Sequence, residues 1–328
     1  FTNQGGLRER GNTAVVCESH YTRFCAAFSA YMASDHTPIT GAQLDYFCQR
    51  KQVLAYCFAV SGYRNMGHLP NIMAKKNGEE LQIAAIRVPL LLAVIDLDSL
   101  TDDLIEQAKA QRPEVFLKLV LGWLGQRAVL TEKAEANRAK LLALGPLLKT
   151  AKITDGDIHP LVNAWMYCSY AEVPTKNQIK DALNALLKER MQEAGLQAKP
   201  VTYVRKPRPK MLVIHERFNT HHAMYRCYAP SLRDLTKYFD LVAVVEDRYI
   251  DDEGVALFSE VVKLQGIPDI GGLVKVVQNL APDIIYYPSI GMTHWAIMLA
   301  NLRLAPIQFM SHGHPASSMT QTIDYAYV

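Results

Sequence analysis

Histidines and other polar residues are concentrated in three segments, each of which follows a short apolar run. The segments are His215-Glu216-Arg217-Phe218-Asn219-Thr220-His221-His222, Pro288-Ser289-Ile290-Gly291-Met292 and His312-Gly313-His314-Pro315-Ala316. A neutral imidazole can take a proton from a nucleophile or hydrogen-bond an anionic oxygen, which makes a loop histidine a candidate general base. His222 is the first candidate for that role. The alternative interpretation is that His221 and His222 cap the following helix and pack against it.

A metal site is a second interpretation of the same histidines. The residues that could converge on zinc are His215, His221, His222, His312 and His314. Neither a C-x-x-C pair nor H-E-x-x-H spacing accompanies them, and these are the spacings that identify a metal site from sequence. We therefore expect no metal and no resident cofactor.

The glycines of the second and third segments allow the backbone to approach a ligand closely. The run Gly313-His314-Pro315-Ala316-Ser317-Ser318 could meet a phosphate or a sugar at a helix N-terminus, or form only a tight turn. Three other chemistries lack their sequence signature. The absence of G-x-G-x-x-G after the first strand argues against a nicotinamide or flavin dehydrogenase, that of G-x-x-x-x-G-K-[ST] against a P-loop NTPase, and that of G-x-S-x-G against an α/β-hydrolase.

The elements that must position these segments are four short apolar runs separated by helical patterns. The runs cover residues 211–214, 241–245, 284–287 and 307–310, and the helical patterns cover 231–239, 272–280 and 293–302. Apolar strands that alternate with amphipathic helices predict a parallel sheet covered on both faces. In such a sheet the loops at the carboxyl ends of the strands meet at one crevice. Residues 211–328 are therefore predicted to form a Rossmann-like domain.

The preceding residues have a helical pattern. We predict an all-helical domain over residues 1–200 and a basic, proline-containing linker over 201–210. One helix follows Thr175-Lys176-Asn177-Gln178, which is the sequence of a capping box, and Gly195 is placed to end it. A second helix is predicted from Thr131 to Leu144.

Composition excludes several classes of protein. The chain has 328 residues, of which 49% are hydrophobic and 20% charged, which is typical of a globular protein. The net charge of +3 argues against a nucleic-acid partner, and six cysteines without a C-x-x-C pair favour a reducing compartment. Polar residues and prolines interrupt the uncharged stretches 284–302 and 304–323, so no membrane span is expected. No secretory signal is recognisable.

The C-terminal motifs resemble one known family. The matching motifs are Tyr287-Pro288-Ser289-Ile290-Gly291-Met292, Leu302-Arg303-Leu304-Ala305-Pro306-Ile307-Gln308, Gly313-His314-Pro315-Ala316, Ile323-Asp324-Tyr325, Met166-Tyr167-Cys168-Ser169-Tyr170 ahead of 177–184, and His222-Ala223-Met224-Tyr225-Arg226. In order and spacing they resemble the bacterial cytoplasmic N-glycosyltransferases that modify high-molecular-weight adhesins, which share a family with the O-GlcNAc transferases. The resemblance runs from about residue 160 to 328, and only helical character agrees before that.

The resemblance implies a fold and an activity. The expected fold class is an α-helical N-terminal domain followed by an α/β Rossmann-like domain, the first half of a GT-B glycosyltransferase. The implied reaction is transfer of a hexose from a UDP-sugar to Asn in Asn-X-Ser/Thr sequons of polypeptides such as adhesins, and glucose is the first hexose expected. The transfer is expected to invert the anomeric configuration and to need no metal. The implied location is the bacterial cytoplasm. His222 matches a histidine of the family's active centre, and Arg217 stands where the family has another histidine. The residues predicted to form the acceptor and donor crevice around His222 are Arg217, His221, Arg226, Ser289, Gly291, Met292, Gly313, His314 and Pro315.

The length of the chain departs from the family pattern. The resemblance leads us to expect a second Rossmann-like domain after Val328, with the nucleotide-binding residues in it, so that this fragment alone is expected to be inactive. The missing half could be a separate partner chain. Two alternative functions stay open: a GT-B transferase with another acceptor, either O-linked or a small molecule, and a non-catalytic protein that binds polypeptides.

Overall fold

The computed structural model describes residues 10–34, 38–77, 80–127, 129–198, 201–266, 268–313 and 317–327. The chain divides into two compact units, residues 1–141 and 142–328. The helices from Gly145 to Glu193 therefore belong to the same compact unit as the sheet. A compact unit and a domain need not have the same boundaries. The predicted domain bounds of 1–200, 201–210 and 211–328 therefore stay a prediction.

The first unit is helical apart from one short antiparallel ribbon. Its elements are α1 (Arg10–Ala33), α2 (Gly41–Ala59), α3 (Leu69–Met73), β1 (Lys75–Asn77), β2 (Glu80–Gln82), α4 (Val88–Val94), α5 (Asp102–Lys109), α6 (Pro113–Leu124) and α7 (Glu132–Leu142). The predicted helix after Thr131 is α7, and the Thr131 hydroxyl accepts a hydrogen bond from the backbone N–H of Ala134 at 3.0 Å. This bond satisfies one of the free N–H groups with which a helix begins.

Lys51 of α2 lies inside this unit without any solvent exposure. Its Nζ donates to the carbonyl oxygens of Leu92 at 2.7 Å and Ile95 at 3.0 Å, and lies 4.6 Å from the centre of the Trp123 ring. Burial lowers the pKa of Lys51 to about 7. A neutral amine still has an N–H for each carbonyl. Lys51 therefore donates to these carbonyl oxygens at the end of α4 in either protonation state.

The second unit contains three helices ahead of an α/β sheet. Its elements are α8 (Gly145–Leu148), α9 (Asp155–Tyr167), α10 (Ile179–Glu193), β3 (Lys210–His215), α11 (Ala223–Leu235), β4 (Asp240–Glu246), α12 (Asp252–Val255), β5 (Glu260–Leu264), α13 (Ile270–Leu280), β6 (Ile284–Tyr287), α14 (His294–Ala300), β7 (Ile307–Ser311) and β8 (Tyr325–Tyr327). The predicted change from helices to alternating strands and helices is confirmed.

All six strands of this sheet are parallel, in the order β5-β4-β3-β6-β7-β8. The four predicted strands correspond to β3, β4, β6 and β7, and every residue of β3 after the first is buried, as is every residue of β4 after the first. Such continuous apolar runs are expected where helices cover both faces of a sheet. Two strands were not predicted, β5 and β8, because both are short edge strands with much exposed surface.

Two local predictions were wrong in detail. The capping box at Thr175 does not form, because residues 175–180 make tight turns in which the backbone N–H of Gln178 bonds to the carbonyl of Thr175, and α10 begins at Ile179 without a side-chain cap. The helix predicted over 231–239 begins earlier, at Ala223, and tolerates a proline inside it. Gly195 does follow α10 with a positive φ of 72°, as predicted.

Helices of membrane-spanning length and apolarity were sought in the described part of the chain, and none was found.

Candidate functional site

The candidate site lies at the carboxyl edge of the sheet, where the chain changes direction. Counted along the chain, the strand order is 3-2-1-4-5-6, so the connections run one way from β3 to β5 and the other way from β6 to β8. The loops that follow β3 and β6 lead in opposite directions at this point, which is where open α/β sheets form the crevice that binds their ligands. Two of the three segments singled out in the sequence are these two loops, and the third follows β7.

Glu216, the residue after β3, joins the first two loops. Its side chain is fully buried, and its Oε1 accepts hydrogen bonds from the backbone N–H groups of Gly291 at 3.2 Å, Met292 at 2.8 Å and Thr293 at 2.7 Å. The Thr293 hydroxyl donates to Oε1 at 3.0 Å, and the Ser289 hydroxyl donates to Oε2 at 3.1 Å. Burial raises the pKa of this carboxyl, and the donated hydrogen bonds oppose that effect because they favour the charged form. Glu216 thereby fixes the path of the loop after β6.

His222 is the N-cap of α11. Its Nδ1 accepts a hydrogen bond from the backbone N–H of Met224 at 3.2 Å. A neutral imidazole accepts through one ring nitrogen and donates through the other, so this cap assigns the ring hydrogen to Nε2. A helix cap and a chemical role are therefore compatible, because the cap uses only Nδ1 and leaves Nε2–H as a donor.

Two arginines lie near His222. The Arg217 guanidinium stacks 4.4 Å from the centre of the Tyr249 ring, and Arg226 donates to the carbonyl oxygen of His221 at 2.9 Å. Within the described residues, neither arginine has a carboxylate partner within 4.0 Å. Partial burial, together with the charges of Arg217 and Arg226, lowers the pKa of His222. The imidazole is therefore neutral at neutral pH in a positive local field.

Gly313, after β7, brings the third loop against the other two. Its backbone N–H donates to the carbonyl oxygen of Pro288 at 3.0 Å, and the Ser311 hydroxyl donates to the same oxygen at 3.0 Å. A Cβ at Gly313 would lie 2.6 Å from that oxygen and 2.4 Å from Cε of Met224. Only glycine fits this contact between the β7 loop, the β6 loop and the first turn of α11.

Replacing Gly313 with alanine is expected to lower the free energy of unfolding by about 1 to 3 kcal/mol, since overpacking forces backbone shifts. If Met224 is also replaced with alanine, only part of the lost stability is expected to return. The new Cβ still clashes with the backbone oxygen of Pro288, which cannot rotate away. Urea denaturation of the two variants checks this. An alanine variant as stable as the parent chain would show that the contact is looser than described.

The structure brings most of the predicted crevice residues together around the carboxyl edge. His221, His222, Arg217 and Arg226 cluster at the start of α11, while Gly313 contacts that cluster through Met224. Ser289 is 1% exposed and Gly291 is buried, and both donate to Glu216, so they shape the crevice and do not present free polar groups to it. Met292 is half-buried. His314 and Pro315 lie outside the described residues.

The histidines of the alternative zinc site do not form one in the described ranges. No group of three or more His, Cys, Asp or Glu side chains is placed to hold a metal ion there. His215 is fully buried with its ring stacked 3.9 Å from that of Phe218, and burial lowers its pKa to about 3. The expectation of metal-independent chemistry stays a prediction.

Glu216 is the residue of this site that the sequence interpretation missed. It lies in the first segment between His215 and Arg217. Candidate roles were assigned to those two neighbours, and none was assigned to Glu216. The available signal was a carboxylate placed directly after a continuous buried strand, where a charge is retained only if it is hydrogen-bonded.

Sequence comparisons show similarity to known proteins along most of the chain. A family model described as HMW1 domain 2 matches residues 106–191. Two curated proteins named UDP-glucose:protein N-beta-glucosyltransferase, from Actinobacillus pleuropneumoniae serotype 5b (strain L20) and serotype 7 (strain AP76), are each 26% identical to this chain. Each alignment is 327 residues long and covers 94% of this chain and 52% of the relative. The chain thus spans about half the length of these relatives. Among solved structures, a mutant O-GlcNAc transferase of Thermobaculum terrenum is similar with a TM-score of 0.41 and 13% identity, over 98% of this chain and 54% of that one.

Proposed function

We propose, from the confirmed resemblance to bacterial protein N-glucosyltransferases, that this chain is the acceptor-side part of a GT-B enzyme that transfers a hexose from a UDP-sugar to asparagine in Asn-X-Ser/Thr sequons. The observation that carries the proposal is the similarity to two UDP-glucose:protein N-beta-glucosyltransferases along 94% of the chain. Glucose is the first donor to test because it is the sugar in the names of those relatives. Catalysis without a metal and a cytoplasmic location belong to the same proposal.

The geometry supports a defined role for the crevice. In inverting transfer the amide nitrogen forms a bond to the anomeric carbon while the bond from that carbon to the diphosphate oxygen breaks, and the nitrogen releases a proton to solvent water. The protein must therefore orient a weak nucleophile and stabilise negative charge on the leaving diphosphate. Arg217, Arg226 and Nε2–H of His222 supply positive charge and a hydrogen-bond donor at the N-terminus of α11.

His222 acts in this proposal as an orienting donor. With Nδ1 occupied by the Met224 N–H, the neutral ring has its hydrogen on Nε2, and that nitrogen cannot accept a proton from the amide. The side chain instead donates to an oxygen of the acceptor or the donor. Of the two roles that the sequence leaves open, proton removal and orientation, the tautomer assigned from the hydrogen bond to Met224 favours orientation.

Mass spectrometry of a synthetic Asn-X-Thr peptide, after incubation with UDP-glucose, tests the proposal. The protein used also carries the part of the relatives' length that this chain does not match. We expect one added hexose on asparagine, no addition when glutamine replaces asparagine, and none when alanine replaces threonine. UDP-galactose is the matched donor control.

Two results would contradict the proposal. Consumption of UDP-glucose with other acceptors but not with the sequon would indicate a transferase of different acceptor class. Retained peptide binding without donor consumption would indicate a non-catalytic polypeptide-binding protein.

A further inference from the structure

A buried lysine of α10 contacts the segment that continues from the β7 loop. Lys180 has no solvent exposure, and its Nζ donates to the carbonyl oxygen of Ser317 at 2.9 Å and to the hydroxyl of Ser169 at 3.1 Å. The same ammonium lies 3.9 Å from the centre of the Trp165 ring. Burial lowers the pKa of Lys180 to about 8.

Asn184, one helical turn further, contacts the next residue of that segment. It is 6% exposed, and its Nδ2 donates to the carbonyl oxygen of Ser318 at 3.0 Å. Its Oδ1 accepts hydrogen bonds from Nε1 of Trp165 at 3.0 Å and from Nδ2 of Asn301 at 3.2 Å. Trp165 thus orients the amide of Asn184 and lies against the ammonium of Lys180.

Burying the ammonium of Lys180 has a free-energy cost. A buried charge carries a desolvation penalty, which the hydrogen bonds of the ammonium must offset. The lysine and the asparagine direct their donors to two consecutive backbone carbonyls, those of Ser317 and Ser318. What the pair specifies is therefore the position of one stretch of backbone.

That stretch lies next to the candidate site. Gly313 is held by the Pro288 carbonyl at one end, and Ser317 and Ser318 are held by α10 at the other. The predicted crevice residues His314 and Pro315 stand between these two ends in the sequence. Lys180 and Asn184 lie within residues 106–191, the range matched by HMW1 domain 2.

We infer that Lys180 and Asn184 are positioning residues for the crevice, which hold the backbone of Ser317 and Ser318, C-terminal to the Gly313 contact, in the path that glycosyl transfer requires. This inference rests on the proposed function for its catalytic consequence, but its structural part does not. It gives the helices before the sheet a role in the reaction beyond their own packing.

The test compares Lys180→Met and Asn184→Asp with two control variants. Methionine fills the volume of the lysine without a donor, and aspartate keeps the oxygen that accepts from Trp165 and Asn301 but loses the donor to Ser318. Lys188→Met makes the same substitution at an exposed position of α10, and Ser169→Ala removes a partner of Lys180 that is not in the segment. Hydrogen exchange is measured on the chain, and transfer to the sequon peptide is measured on the protein that also carries the rest of the relatives' length.

Both test variants are expected to accelerate exchange of the amides of Gly313 and of residues 317–320 by about 10- to 100-fold, with no change elsewhere. In the transfer assay kcat is expected to fall by about 10- to 100-fold with a smaller change in the KM for peptide, since misplaced site residues reduce the rate of the chemical step. The melting temperature of Lys180→Met is expected to fall, because methionine leaves the Ser317 carbonyl and the Ser169 hydroxyl without their donor. A lower kcat at a temperature where the variant is folded separates positioning from stability.

Unchanged exchange in this segment, or a Lys180→Met variant that exchanges faster throughout, would overturn the inference. If the parent protein shows no transfer while exchange changes as expected, the proposed function fails and the positioning contact stands. If the parent protein transfers and Lys180→Met transfers equally well, the inference fails and the proposed function stands.

Discussion

Replacing His222 with alanine is expected to lower kcat/KM for transfer to the sequon peptide by about 10²- to 10³-fold, the effect of removing one preorganised donor from an active site. The substitution removes Nε2–H, the hydrogen-bond donor that the cap with Met224 leaves free. It also removes the helix cap, at a cost of about 1 kcal/mol in the free energy of unfolding. Steady-state kinetics and thermal denaturation of the same preparation separate the two effects.

Two further substitutions at this position provide matched controls. His222→Asn retains a good N-cap but is too short to place a donor where Nε2 lies, so it is expected to be as stable as the parent protein and as inactive as the alanine variant. His222→Gln places an amide N–H near the position of Nε2 and is expected to recover part of the activity. If His222→Asn transfers at the parent rate, His222 is only a cap.

Burial, together with the two neighbouring arginines, favours the neutral form of His222. Burial and the charges of Arg217 and Arg226 lower the pKa of His222 from its ordinary value of 6.5, so the imidazole becomes protonated at a lower pH than a free histidine does. Protonation of Nδ1 breaks the cap with Met224, so transfer is expected to fall as the pH is lowered below 6.5. Replacing Arg217 with alanine is expected to raise the pKa of His222, because one repelling charge is gone. An NMR titration of the His222 ring in the chain checks the direction, and no upward shift would contradict the electrostatic assignment.

Replacing Glu216 with alanine is expected to lower the free energy of unfolding by about 3 to 5 kcal/mol. The substitution leaves the backbone N–H groups of Gly291, Met292 and Thr293 without their acceptor, and each unsatisfied buried group costs about 1 to 3 kcal/mol. Transfer is expected to be lost even under conditions where the variant is folded, because the loop after β6 no longer has a fixed path.

Glu216→Gln and Ser289→Ala are the controls for that result. Glutamine retains one oxygen that can accept from the three backbone groups, so it is expected to cost less than half as much as alanine. Ser289→Ala removes only the donor to Oε2 and is expected to cost about 1 kcal/mol. Urea denaturation measures all three variants. A Glu216→Ala variant within 1 kcal/mol of the parent chain would show that other acceptors replace the carboxylate.

The strands and the three loops were predictable because their signals are local. Continuous apolar runs at 211–214, 241–245, 284–287 and 307–310 identify strands covered on both faces, and the direction of parallel strands places the following loops at one edge. The exposed edge strands β5 and β8 gave no such signal, since half-exposed residues have no distinctive pattern. The early start of α11 was missed because a proline is uncommon inside a helix and Pro230 lies inside α11, while the cap at His222 was only one of two interpretations.

Individual side-chain roles depended on distant partners that sequence spacing cannot supply. Glu216 accepts hydrogen bonds from residues more than 70 positions away, and Lys180 and Asn184 reach segments more than 130 positions away. The continuous apolar runs by themselves determined the four central strands and the loops that follow three of them, because hydrophobic burial acts locally on each strand. Only the tertiary structure decided which nitrogen of His222 is free and which carboxylate holds the loop, because a hydrogen bond depends on where the partner atom lies in space.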